Sequence, residues 1–197
     1  MKRAVFLDRD GVLTRALVRD GQAHAPVTPA EMEIDSDAPA ALARLKAAGF
    51  LLVVVTNQPD VARGIIRRED VESMHATLRA ALPLDACFVC YHDDADGCDC
   101  RKPHPGMLLQ AAGERAIDLA ASFMIGDRWR DIDAGAAAGC RTIWIDRGYR
   151  ERAPEHTPDA RVDSLRAAAD WIVGRACGSG DPLQAWTPAP QERHQIR

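Results

Sequence analysis

The sequence predicts a doubly wound, Rossmann-like α/β fold on a parallel sheet, and three observations carry the prediction. Short apolar, β-branched runs alternate with segments of helical spacing. The runs are nearly continuous in hydrophobicity, as strands covered on both faces must be. Polar clusters follow the runs, which puts them beyond the carboxyl ends of the strands, where such sheets place their chemistry.

The elements follow in order. Ala4–Leu7 reads as the first strand, and Asp8 and Asp10 come straight after it. Ala38–Ala48 carries helical spacing, and Gly49 stands where a left-handed cap ends a helix. Leu51–Val55 is the second strand, trailed by Thr56 and Asn57. Arg67–Leu82 is helical, Cys87–Tyr91 is the third strand and Gly106–Arg115 the next helix. Ser122–Ile125 leads to Asp127, Asp131–Ala138 is helical, Thr142–Ile145 is the fifth strand, and Ser164–Val173 closes the fold. Residues 178–197 mix Gly, Pro and polar residues without periodicity, which predicts a flexible tail behind one domain over 1–177.

With 197 residues, 47% of them hydrophobic, the chain suits a single domain with a real core. A net charge of −4 argues against a nucleic-acid surface, which needs clustered Lys and Arg. No apolar run reaches the roughly 18 residues of a membrane span. Asp8 interrupts the N-terminus before a signal-peptide core can form. The expectation is a cytoplasmic monomer or weak homo-oligomer with no nucleic-acid or membrane partner.

Asp-x-Asp-Gly after a strand also suits a turn, since Asp and Gly favour turns. Its company changes the reading. DRDGVLT from Asp8, TNQ from Thr56, RKP from Arg101 and GDRWRD from Gly126 occur in that order, three of them directly behind strands. From Val5 to about Ile145 they resemble the four motifs of the haloacid dehalogenase superfamily of phosphatases and phosphotransferases.

That resemblance implies the superfamily's fold and hydrolysis of a phosphate ester with Mg²⁺, a hard cation that makes paired carboxylates tolerable. Asp8 would attack phosphorus to give an aspartyl phosphate. Asp10 would serve as acid and base, with its backbone carbonyl on the metal. Asp127 would complete the Mg²⁺ ligands. Thr56 and Asn57 would hold phosphate oxygens through a hydroxyl and backbone N–H groups, and Lys102 would balance the assembled charge. Asp131, one helical turn past Asp127, would orient Lys102 or a metal-bound water. Only 45 residues separate Asp10 from Thr56, and 45 separate Thr56 from Lys102. These leave no room for a cap domain.

Six cysteines in a chain expected to be cytoplasmic suggest metal or thiol chemistry rather than disulfides. Cys90, His92, Cys98 and Cys100 form C-x-H-x5-C-x-C across a polar, Gly-containing loop, a donor set for structural Zn²⁺. Cys87, Cys140 and Cys177 read as core thiols. The zinc loop running into CDCRKPHPGML resembles the heptose-bisphosphate and histidinol-phosphate phosphatases of the superfamily. The implied reaction removes the 7-phosphate of D-glycero-D-manno-heptose 1,7-bisphosphate, with Arg101, Lys102 and Arg128 lining the substrate. Arg15 and Arg19 are either further phosphate contacts or solvated, and Asp60 would repel a phosphate that it faced. The alternatives are a histidinol-phosphate phosphatase, another small phosphomonoesterase, or a zinc-stabilised binding module without catalysis.

Overall fold

The computed structural model describes residues 1–176, so the expected tail and Cys177 lie outside the described residues. Six strands form one parallel sheet: β1 (Ala4–Leu7), β4 (Leu51–Asn57), β5 (Ala86–Cys90), β6 (Phe123–Gly126), β7 (Arg141–Ile145) and β8 (Ala160–Val162). Their order is β5-β4-β1-β6-β7-β8. The chain builds outward from β1 to one edge, then returns to its other side at β6. The crevice at the carboxyl end of β1 is therefore the switch point where such sheets take ligands.

All four side chains of β1 are buried. The pleat sends Val5 and Leu7 to one face, with Leu52, Val54, Ile125 and Ile143. Ala4 and Phe6 go to the other, with Val53, Val55 and Met124. Helices α1 (Ala38–Ala47) and α5 (Leu165–Ala176) cover the first face, packing against each other there. Helices α3 (Gly106–Arg115) and α4 (Trp129–Ala137) cover the second. Helix α2 (Arg68–Ala81) sends Val71 and Met74 into a small separate cluster. Burial on both faces is what a continuous hydrophobic run in sequence reports.

The predicted strands and helices all form, with ends moved by a few residues. Gly49 takes φ +84 at the end of α1, as expected of a helix-ending glycine. α4 begins at Trp129, two residues before the expected start, because the Asp131 carboxylate accepts the Arg128 backbone N–H at 3.1 Å and supports the helix terminus. Two features are additional. A hairpin, β2 (Leu17–Arg19) and β3 (Gln22–His24), turns at Asp20–Gly21 with both φ angles positive. β8 forms the sheet edge. The hairpin and one short 3₁₀ turn fill the stretch between β1 and α1, so no cap domain is present there. No helix among the described residues is long and apolar enough to cross a membrane.

Candidate active site

The loops after β1, β4 and β6, with the segment before α3, meet at the switch point. Lys102 is buried at their centre. Its Nζ lies 2.9 Å from Asp8 Oδ1 and 2.6 Å from Asp131 Oδ1, and donates to the Val55 carbonyl at 2.8 Å. Burial alone would lower the lysine pKa, but Asp131 and Asp8 hold it above its usual value. Asp131 thus touches Lys102, as the first of its two expected roles requires.

The carboxylates outnumber this cation. Asp8, Asp127 and Asp131 offer oxygens within 4.8 Å of one another. Burial, then Asp131, pushes Asp8 up to about 6, with Lys102 opposing. Burial raises Asp127 well above the carboxylate range, and Asp131 and Asp8 add to it. Both Asp127 oxygens are buried, with the Tyr149 hydroxyl as their hydrogen-bonding neighbour and no cation paired to them among the described residues. An ionised carboxylate left that way is costly unless a cation meets it. This donor set fits a hard divalent ion. Gly11 allows the close approach: at φ +85, a Cβ there would stand 1.7 Å from Asp127 Oδ2. Arg147 holds this turn by donating twice to the Gly11 carbonyl, at 3.2 and 3.0 Å.

Asp10 turns its carboxylate to Arg9, Gln58 and Thr14. Thr56 Oγ1 accepts from Gln58 Nε2 at 2.9 Å. Asn57 lines the cavity, but its side chain is committed to Lys102: Nδ2 donates to the lysine carbonyl at 3.0 Å and Oδ1 accepts its N–H at 3.1 Å. The side-chain amide thus anchors the lysine loop, which leaves the backbone N–H as the group Asn57 could offer a phosphate.

A cavity of about 310 Å³ opens above these groups. Arg63, Arg101, Arg128 and Arg130 line it, and each has an acidic partner. Arg63 pairs with Asp93 at 2.5 Å and Asp60 at 3.1 Å, so Asp60 faces a cation. Arg101 Nε and Arg130 Nη1 share Asp94 Oδ1, at 2.7 and 3.4 Å. Arg128 donates to Glu151 through Nε at 3.1 Å and through Nη2. From the hairpin, His24 reaches the cavity. Arg15 and Arg19 do not line it, and exposed Arg15 pairs with Glu33 at 3.1 Å.

Beside the cavity, Cys90, His92, Cys98 and Cys100 converge. The sulfur atoms lie 3.3–3.7 Å apart, and His92 Nδ1 lies 3.6 Å from Cys90 Sγ and 3.3 Å from Cys100 Sγ. A tetrahedron with metal–sulfur bonds of ~2.3 Å has edges of about 3.8 Å, so the four groups fit zinc. Cys87 is half-buried and Cys140 buried, as core thiols.

A carboxylate pair after the first strand, a buried lysine and a third carboxylate after β6 make up the floor of a haloacid dehalogenase-type hydrolase. The HAD-hydrolase-like family profile matches residues 99–168. The chain is 36% identical over 187 residues to the D-glycero-beta-D-manno-heptose-1,7-bisphosphate 7-phosphatase of Escherichia coli K12, covering 86% of this chain and 87% of that protein. It is 41% identical over 165 residues to the enzyme of that name from Pasteurella multocida, covering 75% and 84%. The crystal structure of D,D-heptose 1,7-bisphosphate phosphatase from B. bronchiseptica, complexed with magnesium and phosphate, superposes with a TM-score of 0.75 at 33% identity, covering 89% of this chain and 99% of that one. This chain belongs to the heptose-1,7-bisphosphate 7-phosphatase family of HAD-like phosphoric monoester hydrolases.

Proposed function

We propose that the protein removes the 7-phosphate of D-glycero-D-manno-heptose 1,7-bisphosphate, working in the cytoplasm with Mg²⁺ at the carboxylate floor and Zn²⁺ in the cysteine loop. One observation carries the chemistry: Lys102 Nζ bridges Asp8 and Asp131 beside the buried carboxylate of Asp127. The relatives' names and the magnesium and phosphate in the B. bronchiseptica complex support the substrate and the cation.

Asp8, Asp127 and the Asp10 backbone carbonyl would hold Mg²⁺, which supplies positive charge to the phosphoryl oxygens. Asp8 attacks phosphorus, the bond to the sugar oxygen breaks, and Asp10 gives that oxygen its proton. A water then attacks the phosphorus of phosphorylated Asp8 while Asp10 takes its proton back, releasing phosphate and free Asp8. Lys102 stays beside Asp8 through both steps, and Asp131 holds it there. Thr56 adds a hydroxyl to the phosphate pocket. Arg101, Arg128 and Arg130 would meet the second phosphate, since the guanidinium fork suits phosphate oxygens. Cys90, His92, Cys98 and Cys100 would hold Zn²⁺ with no open position, which leaves a structural task two residues before Lys102.

The test is kcat/KM with Mg²⁺ for both heptose 1,7-bisphosphate anomers, histidinol phosphate and a 3′-phosphorylated oligonucleotide. The heptose bisphosphates are expected to lead. Histidinol phosphate matching or exceeding them would replace the heptose reading.

A further inference from the structure

Arg9 stands between the two aspartates and never reaches the cavity: its side chain is fully buried. Each nitrogen of its guanidinium has a partner. Nε donates to both oxygens of Asp10, at 3.0 and 3.1 Å, and Nη2 donates to Asp10 Oδ2 at 2.8 Å. Nη2 also donates to Gln58 Oε1 at 3.0 Å, while Gln58 Nε2 donates to Asp10 Oδ2 at 3.0 Å. Arg9, Gln58 and Asp10 thus close a ring of hydrogen bonds that leaves the carboxylate one orientation. Thr14 Oγ1 adds a donor at 3.2 Å.

The remaining arm, Nη1, lies 3.3 Å from Nε2 of His75 on α2. Arginine only donates, so Nε2 must accept and the imidazole proton must sit on Nδ1. Nδ1 is buried with no hydrogen-bond partner among the described residues. A histidine kept for packing would not leave a buried N–H unmet, because that costs more than an apolar side chain of similar shape. What the imidazole does supply is an acceptor for Arg9.

We propose that Arg9 is a positioning residue for the proton transfer, aiming the Asp10 carboxylate at the leaving oxygen, and that His75 fixes Arg9 from behind. The proposal rests on reading Asp10 as the acid. It has a signature that loss of stability does not produce. Protonation matters most for a strongly basic leaving oxygen and little for a stabilised phenolate. Damage to Asp10's aim must therefore steepen the dependence on leaving group.

The experiment measures kcat/KM for a series of aryl phosphates from phenyl to 4-nitrophenyl phosphate. It compares the wild type with Asp10→Asn, Arg9→Met, His75→Leu and His75→Gln. General acid catalysis supplies roughly 10²–10⁴-fold, and a misaimed acid forfeits part of it. His75→Leu is expected to slow phenyl phosphate about tenfold and 4-nitrophenyl phosphate less than about twofold. His75→Gln, whose Oε1 can accept from Nη1, is expected to restore the wild-type slope. Arg9→Met is expected to approach the slope of Asp10→Asn, but it empties a buried ion pair, so the His75 pair decides if it fails to fold. A steep Asp10→Asn series beside an unchanged His75→Leu slope overturns the positioning role alone. A flat Asp10→Asn series removes the acid role and this proposal with it.

Discussion

The floor and the rim of the cavity handle charge in opposite ways. On the floor, Asp8, Asp127 and Asp131 are all buried, and among the described residues Lys102 is the one cation ion-paired to them. Negative charge exceeds positive charge there, and burial weighs on Asp127. On the rim, Arg63, Arg101, Arg128 and Arg130 each already hold a carboxylate, and most of these groups are partly open to water. The floor waits for a cation, whereas the rim must give up or share a partner before it grips an anion. Chemistry should therefore fail outright when the floor is altered, and selectivity should only drift when the rim is.

The largest expected effect follows at Asp8. Asp8→Asn keeps the shape and removes the nucleophile, so kcat should fall by roughly 10³-fold or more with the fold intact. Near-native turnover of any phosphomonoester by that variant would rule out an aspartyl phosphate here. Asp127→Asn splits function from stability. The Mg²⁺ concentration needed for half-maximal rate should rise by about 10²-fold, since a hard anionic ligand is lost. The Mg²⁺-free variant should melt higher than the Mg²⁺-free wild type, because an unmet buried charge has gone. A lower melting point would mean that Asp127 is satisfied without metal.

The cysteine loop ties floor to rim. The segment from Cys90 to Cys100 carries Asp93 and Asp94, which hold three of the four arginines, and it ends two residues before Lys102. Purified, dialysed protein should contain about one zinc per chain, absent from a Cys98→Ser/Cys100→Ser variant. That variant should lose turnover about tenfold, short of the Asp8→Asn loss, because Asn57 still clamps the lysine backbone. Elemental analysis finding no zinc in the wild type would leave the thiol cluster without a metal role.

The sheet was legible because burial on both faces leaves an unbroken apolar run, as in Leu52–Val55. Leu17–Arg19, Gln22–His24 and Ala160–Val162 were not, being three-residue strands with no fully buried side chain and no such run. The Asp-Gly pair at the hairpin was the one local signal available. Asp8, Asp127 and Lys102 were legible as motif residues behind strands. Arg9, Gln58, His75 and Glu151 were not, since their meaning lies in which way a side chain turns. A fully buried arginine between two aspartates looks in sequence like any solvated one. Asn57 carries a second task that motif position does not show: its side-chain amide is spent on Lys102.

The smallest expected effect tests the rim most finely. Asp94 accepts from Arg101 and Arg130 at one oxygen, and its own side chain is 56% exposed. The Asp94 carboxyl is held below its usual range, chiefly by the bond from Arg101. It therefore occupies these two cations as an anion, and a substrate's second phosphate must compete with it. Removing the charge has two opposed consequences: the arginines are freed for phosphate, and they lose a group that orients them. Arg101 is 8% exposed and held by its surroundings, with Nη1 also 3.5 Å from the His92 carbonyl, so orientation should survive. Release should win. Exposed ion pairs are weak, so Asp94→Asn should lower KM for the bisphosphate by about two- to fivefold. kcat, and kcat/KM for an aryl monophosphate, should stay unchanged, because no second phosphate is present to profit. A higher KM for the bisphosphate would show instead that Asp94 preorganises the arginines, and would turn the rim from a competitor for the substrate into part of its mould.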